Sequence, residues 1–484
     1  MTCVWPRLCY AVSDLAEKRG LSAHKLQEGL GLQYMAIADH HDDPATLAAN
    51  AIRRLMEQND LQPADIGRLY VASESHFDAA RPLGSYIIEM MAADHRLSPH
   101  PGAWSHCDHY DALFACVSGV DQLENALYWI SQEEGRRAIV VCSDIAKYPL
   151  QGNGEYTQGA GAVAMLVGSR PRLLQIPLRF GSASQPVRDF YKPVEPLSKQ
   201  QVVQDVLDAA GVADADGRRI LDHLMQHKNG YAPAWQDGQQ FFHLHGHMPE
   251  FDGPLSIRSY RELMMKAMSR FSVQLPRQED DVLSTRWSHL AFHLPYARHG
   301  ERVFTHAFAM DHPHVAAESA GQPLPRRDHY EEEAAYQQAL ESVLKRVRNS
   351  AAYLYYVREK IQPGQIVSSR TGNMYTASLF VSLMSILEHT QSAPEKMLRR
   401  PIGMIGYGSG AKAKVFEGHL APGWQHVVGR FRLLQQLRER QSIDFLTYEA
   451  LHRGKRRQSV QRPSGMYVRL NQYQQPAQYG WEDA

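Results

Sequence analysis

Short β-rich runs alternate with helical stripes along this chain, and they do so in both halves. In the first third, residues 47–56 carry a helical stripe, 68–73 read as a strand, and 83–95 are helical again. Val117, Val120, Leu123, Leu127 and Ile130 recur at helical spacing, so one face of a helix over 117–130 is apolar. Residues 138–143 and 160–167 are β-rich runs bounded by glycine and polar residues. The second half repeats the pattern. A helix is expected at 260–271, strands at 288–294 and 365–368, and a long apolar helix at 376–388. Residues 402–407 then run into a glycine turn at Gly408 and Gly410. Strands that alternate with helices need a parallel or mixed sheet covered on both faces, which makes this an α/β chain of two similar halves.

Between the halves, residues 196–250 are polar and weakly periodic, and read as an insertion. The expected organisation is a first half at 1–195, the insertion at 196–250, a second half at 251–428 and an extension at 429–484. Within the extension, 429–462 hold nine basic residues against three acidic ones, read as a solvated helix face. Over the whole chain Lys+Arg and Asp+Glu each total 52, which argues against a basic nucleic-acid binder. No apolar run reaches eighteen residues, and the N-terminus lacks a long apolar stretch. A mature, cytoplasmic protein with no membrane segment is therefore expected. The five cysteines, Cys3, Cys9, Cys107, Cys116 and Cys142, form no C-x-x-C pair, so neither a disulfide framework nor a cysteine-rich zinc site is expected.

Four residues have the chemistry of a site. Cys116 stands where a polar segment turns into a helix, and a helix N-terminus favours a thiolate. Glu74 follows a strand, at the end where α/β folds collect reactive groups. His293 interrupts an apolar strand, and Asn373 precedes the long apolar helix. Each has a plain structural reading as well: a buried thiol, a solvated loop acid, a core histidine, a helix cap. His243, His245 and His247 alternate, so a strand would show all three on one face, but a polar surface strand explains them and no metal is expected. The run from His106 to His109 has ligand types at poor spacing. Gly406, Gly408 and Gly410 lack the spacing of a nucleotide loop and suit close backbone approach.

Taken together, these residues and their neighbours resemble the 3-hydroxy-3-methylglutaryl-CoA synthase family. The segments that carry the resemblance include VASESHFDAARPLGSYI, Ala115-Cys116, CSDIAKYPLQGNGEYTQGAGAVAML, DFYKPV, FHLPYARHG, GNMYTASLFVSLMSILE and GYGSGAKAKVFEG, in family order. The resemblance implies a thiolase-like fold layered αβαβα, a homodimer, and no cofactor beyond coenzyme A thioesters as substrates. It implies that Cys116 takes an acetyl group from acetyl-CoA, that Glu74 removes a methyl proton, and that His293 meets the C3 oxygen of acetoacetyl-CoA. Asn373, Tyr148 and Thr157 would bind substrate, backbone N–H groups at Cys116 and Ser409 would form an oxyanion hole, and Arg298 would meet CoA phosphates. A related possibility is a carrier-bound substrate, as in enzymes that install β-branches on acyl carrier protein chains; another is a catalytically silent subunit.

A biosynthetic thiolase needs a second cysteine in its C-terminal half, and here every cysteine lies at or before 142. A type III ketosynthase lacks the glutamate. The chain also departs from the family: Leu113 stands where a lysine is usual, and Ser118-Gly119-Val120-Asp121 where small residues follow the cysteine.

Overall fold

The structure is a computed structural model and describes residues 1–484 apart from 101, 213–214, 227–232, 236, 238, 246–247, 277–281, 394–396, 398–399, 472–476 and 484. The chain forms two compact units, one of residues 1–189 and 252–484, the other of residues 190–251. The smaller unit pairs Val194–Ser198 antiparallel with Phe241–His245, and its helices Lys199–Ala210 and Ala215–Gln226 enclose Val203, Leu207 and Leu221. The segment read as an insertion, 196–250, falls within it.

Among the described residues, two five-stranded sheets of the larger unit frame the site. The first contains β1 (Thr2–Val4), β2 (Arg68–Ala72), β3 (Asp108–Ala112), β4 (Arg137–Ala146) and β5 (Gly159–Gly168), in the order β1-β5-β4-β2-β3. β2 runs parallel to β3 and β4, while β4 and β5 pair antiparallel from Arg137 opposite Gly168 to Ala146 opposite Gly159. The second sheet contains β6 (Gly181–Ser184), β7 (Leu290–Phe292), β8 (Ile402–Gly408) and β9 (Lys412–Leu420). There β7 is parallel to β8, and β9 is antiparallel to both β8 and β6. Each half thus sets a parallel strand beside a long antiparallel pair.

Alternation along the strands decides the layers. Leu69 and Val71 of β2, with Ile139 and Val141 of β4, pack with α1 (Pro44–Gln58) and α2 (Leu83–Ala93). Tyr70, Ala72, Val140 and Cys142 point the other way, into a core shared with α3 (Ser118–Ile130) and α7 (Ser378–Thr390). Ala291, Met404 and Phe416 of the second sheet join that same core. Leu290, Phe292, Ile405, Tyr407 and Val415 face outward to α4 (Gly253–Ser272) and α5 (His299–Asp311). The result is the expected αβαβα stack, with α3 and α7 in the middle layer. A helix between two sheets has no solvent face, which is why residues 378–387 are buried without a break.

One expected strand is a helix. Residues 365–368 lie in α6 (Gln362–Thr371), which has Pro363 in its first turn and ends at Gly372, φ 75°. Four residues cannot display a period, and packing decides instead: a Cβ on Gly364 would come within 2.5 Å of Ser382 Oγ on α7. Among the described residues no helix is long and apolar enough to cross a membrane.

The middle layer closes to backbone distance at Gly119 of α3. A Cβ there would lie 2.6 Å from Cys142 Sγ and 2.9 Å from the Thr376 carbonyl oxygen. Gly119→Ala should therefore destabilise the protein by about 2 kcal/mol through overpacking, read from urea denaturation. An unchanged midpoint would show that the layer yields.

Candidate active site

Strand ends deliver the site. Glu74 lies two residues beyond β2, Cys116 four beyond β3, His293 one beyond β7 and Ser409 one beyond β8. His293 was expected inside a strand over 288–294; the strand is shorter, although the His293 N–H still donates to the Ile405 carbonyl at 2.9 Å. Cys116 precedes α3 by two residues, on a backbone in which Ala115 holds φ 43°, a conformation that costs a side-chain-bearing residue about 1 kcal/mol or more.

The thiol of Cys116 donates to Glu74 Oε1 at 2.6 Å. What places Glu74 is a residue that sequence reasoning passed over. Asp144, fully buried at the end of β4, accepts from the Glu74 N–H at 2.7 Å, from Ser73 Oγ at 3.1 Å and from Ser75 Oγ at 2.9 Å. Its second oxygen accepts from the Thr376 N–H at 3.0 Å and from the Thr376 hydroxyl. A charged acceptor with five donors holds the Glu74 segment of one half against the Thr376 segment of the other. The signal was present as an aspartate inside the apolar run AIVVCSDIA.

Asn373 sits three residues before Thr376 and is buried. Its Oδ1 accepts from the Tyr375 N–H at 2.9 Å, its Nδ2 faces the Tyr148 hydroxyl at 3.5 Å, and its N–H donates to the Thr157 carbonyl at 2.9 Å. Asn373, Tyr148 and Thr157 are thus neighbours, Thr157 through its carbonyl, while its hydroxyl donates to the Gly154 carbonyl at 2.8 Å. Asn373 serves its own turn rather than the N-terminus of α7. Tyr148 and Tyr375 stack at a tilt, ring centroids 6.4 Å apart, and burial raises both phenol pKa values.

His293 is buried, its pKa pushed down to about 3 by desolvation, against which a hydrogen bond to the Tyr375 backbone acts only in part. Its imidazole is neutral at pH 7. Behind it, the Tyr260 hydroxyl donates to the His293 and Ile405 carbonyls at 3.1 and 3.3 Å.

Ser409 lies in the turn between β8 and β9, whose approach to the cysteine loop requires Gly408: a Cβ there would stand 2.8 Å from the Phe114 carbonyl oxygen and from the Val117 nitrogen. A second buried carboxylate missed in the sequence, Asp189, pins this turn by accepting from the Gly410 N–H at 3.0 Å and the Tyr407 hydroxyl at 2.8 Å. Arg298 caps the start of α5, part-exposed, with its guanidinium 3.8 Å from Glu28.

Among the described residues no three His, Cys, Asp or Glu side chains could hold a metal ion. The set His243, His245 and His247 falls partly outside the described residues: His247 and the side chain of His245 are not described.

Comparison with known proteins identifies the family. The model described as hydroxymethylglutaryl-coenzyme A synthase N terminal matches residues 1–171, and its C-terminal counterpart matches residues 239–458. The chain is 27% identical over 446 residues to hydroxymethylglutaryl-CoA synthase of Haloferax volcanii, covering 91% of this chain and 87% of that protein. The Enterococcus faecalis synthase is 26% identical over 441 residues, with the same coverage of 91% and 87%. Among solved structures, MvaS in complex with 3-hydroxy-3-methylglutaryl coenzyme A superposes with a TM-score of 0.74 at 26% identity, covering 100% of this chain and 98% of that one. The HMG synthase of the curacin biosynthetic pathway, at 19% identity and a TM-score of 0.70 over 99% of this chain and 98% of its own, shares the fold.

Burial also sets a pH dependence. His293 is held down to about 3, His306 and His452 to about 4, and His299 well below its ordinary value, each chiefly by desolvation. In the unfolded chain each takes up a proton near pH 6.5, so below that pH the unfolded state binds more protons. Stability should be whole above about pH 6.5 and fall as the pH drops toward 4, by up to about 1.4 kcal/mol per pH unit for each histidine. Urea midpoints at pH 7.5, 6 and 5 test this; a flat profile would contradict the burial of neutral rings.

Proposed function

We propose that this chain, which belongs to the hydroxymethylglutaryl-coenzyme A synthase family, joins an acetyl thioester to acetoacetyl-CoA and releases hydroxymethylglutaryl-CoA. The observation that carries the reading is the 2.6 Å hydrogen bond from Cys116 Sγ to Glu74 Oε1. It sets a nucleophile and a base in contact at the strand ends, with a neutral imidazole and an amide gathered by the facing half.

In the first step the Cys116 thiol passes its proton to Glu74 and its sulfur adds to the acetyl carbonyl, whose developing charge faces the N–H groups of Cys116 and Ser409. The CoA thiolate leaves with the proton from Glu74, which returns to carboxylate. Glu74 then removes a proton from the acetyl methyl, and the enolate carbon adds to C3 of acetoacetyl-CoA. His293, neutral, offers an N–H to the C3 oxygen, and the proton taken by Glu74 balances the alkoxide. Water finally cleaves the Cys116 thioester and restores the thiol. Asn373 and Tyr148 supply polar contacts for the acceptor, and Arg298 a cation for the phosphates of the carrier.

The test is peptide mass spectrometry after brief incubation with acetyl-CoA. An acetyl adduct on Cys116 is expected, and none in Cys116→Ala. Glu74→Ala should still acetylate, more slowly, but lose condensation by about 10²-fold or more; unimpaired condensation in E74A would remove Glu74 as the base. H293A should impair acceptor use more than acetylation. An adduct formed only from an acetylated carrier protein would move the donor from CoA to a carrier.

A homodimer joined along β3 accords with that strand lying at the open edge of its sheet, followed by exposed Leu113 and Phe114. Light scattering should give twice the 54.8 kDa chain mass; a monomer at micromolar concentration would reject it.

A further inference from the structure

The segment after the cysteine, Ser118-Gly119-Val120-Asp121, departs from the small residues that the family resemblance leads one to expect, and the structure gives its acid a partner. Asp121 lies in the first turn of α3, and its carboxylate bridges two lysines of β9: Lys412 Nζ at 2.6 Å and Lys414 Nζ at 2.7 Å. Lys414 also contacts Glu124, one turn further along α3. All four side chains are at most one-fifth exposed, so salt screens them poorly. Burial opposes the charge on Lys414, yet Asp121 and Glu124 outweigh it and hold its pKa above the ordinary lysine value.

Strand register explains how the lysines reach the helix. Lys412 pairs with Gly408 and Lys414 with Gly406 across β8 and β9. The two glycines let α3 and the loop before it lie flush on β8, since a Cβ on Gly406 would sit 2.9 Å from Val120 Cγ2 and one on Gly408 2.8 Å from the Val117 nitrogen. Beside this bare strip the lysines of β9 extend to the carboxylates. Lys412 also covers the ring of Phe114, 4.0 Å from its centroid, two residues ahead of Cys116.

The network therefore joins the two elements whose ends carry the donors of the acyl-enzyme step. Asp121 is five residues after Cys116, and Lys412 is three after Ser409. We infer that Asp121, with Lys412 and Lys414, is a positioning group that fixes the gap between the Cys116 and Ser409 N–H groups and so sets the rate at which Cys116 is acylated. The inference rests on the function proposed above. It concerns geometry and not substrate contact: the lysines are neutralised by Asp121 and Glu124, so their loss should leave donor binding nearly unchanged.

The experiment is the single-turnover rate of Cys116 acetylation by acetyl-CoA, followed by quenched-flow mass spectrometry. Asp121→Asn should slow acetylation at least about tenfold, as a small displacement of aligned donors does, with the donor KM within about twofold and the final extent of labelling unchanged. Asp121→Glu, which keeps the charge, should recover most of the rate. Lys412→Met, which leaves Lys414 on Asp121, should slow the step less, and the D121N/K412M double variant should be no slower than D121N alone. Acetylation of D121N at the wild-type rate would overturn the inference, as would effects of D121N and K412M that multiply. Loss of labelling extent in step with folded fraction, without a slower rate, would also overturn it. Wild-type protein that takes no acetyl group from CoA or carrier would remove the functional reading and this inference with it.

Discussion

One buried carboxylate organises the junction between the halves. Asp144 lies at the end of β4 with no exposed surface, where an unpaired charge would be far too costly to keep. Its solution is to collect donors from both directions: Ser73, the Glu74 N–H and Ser75 from the strand beside it, and Thr376 from the facing half. Because a charged acceptor aligns each donor strongly, the Glu74 backbone and the segment after Asn373 share one anchor. Glu74 and the segment that follows Asn373 are thereby placed by one buried group. Asp189 does the same for the turn that carries Ser409.

The second constraint is distance. For residues from two sheets to converge, the middle layer must be thin, and it is thinned by glycine: Gly119 against Cys142 and Thr376, Gly406 against Val120, Gly408 against the cysteine loop. Close packing of that kind also supports unfavourable backbone. Ala115 at φ 43° and Tyr375 at φ 39° are side-chain-bearing residues in the left-handed region, one beside Cys116 and one beside Asn373. Neither would hold that conformation in a loose loop. The site is thus made where the core is tightest, which places it between layers and at strand ends rather than on a mobile rim.

Periodicity made the layers legible but not the anchors. The stripe from Val117 to Ile130 and the unbroken apolar run after Thr376 are long enough to show a period, and both are helices of the middle layer. Residues 365–368 are too few, and the β-branched run there yields to packing against α7. Cys116, Glu74, His293 and Asn373 were individually ambiguous, since each residue type is commoner in a structural role; only the family resemblance joined them. Asp144 and Asp189 escaped notice because their partners are remote, 232 residues away for Thr376 and 221 for Gly410, and no local pattern encodes such a bond. The pairing of Asp121 with Lys412 and Lys414 is hidden for the same reason: read alone, the acid looks like a lapse in the cysteine loop, and its compensation lies on another strand.

The charge state of the pocket follows from these placements. His293 is neutral because burial keeps it so, Tyr148 and Tyr375 are neutral phenols, and Asn373 carries no charge. Cys116 and Glu74 are in direct contact, Sγ to Oε1 at 2.6 Å, a separation at which two adjacent anions would repel. The thiol avoids that by keeping its proton and donating a hydrogen bond to the carboxylate oxygen. Each step of the proposed reaction then moves the carboxylate's charge: to sulfur as the thiol adds, to the departing thiolate, to the enolate, and to the C3 oxygen beside a neutral imidazole. A protonated His293 would attract the resting carboxylate and hold it in place. In the proposed reaction a neutral imidazole leaves that charge free to move along the series, and the N–H groups of Cys116 and Ser409, as fixed dipoles, would stabilise it at the acyl oxygen without reorganisation.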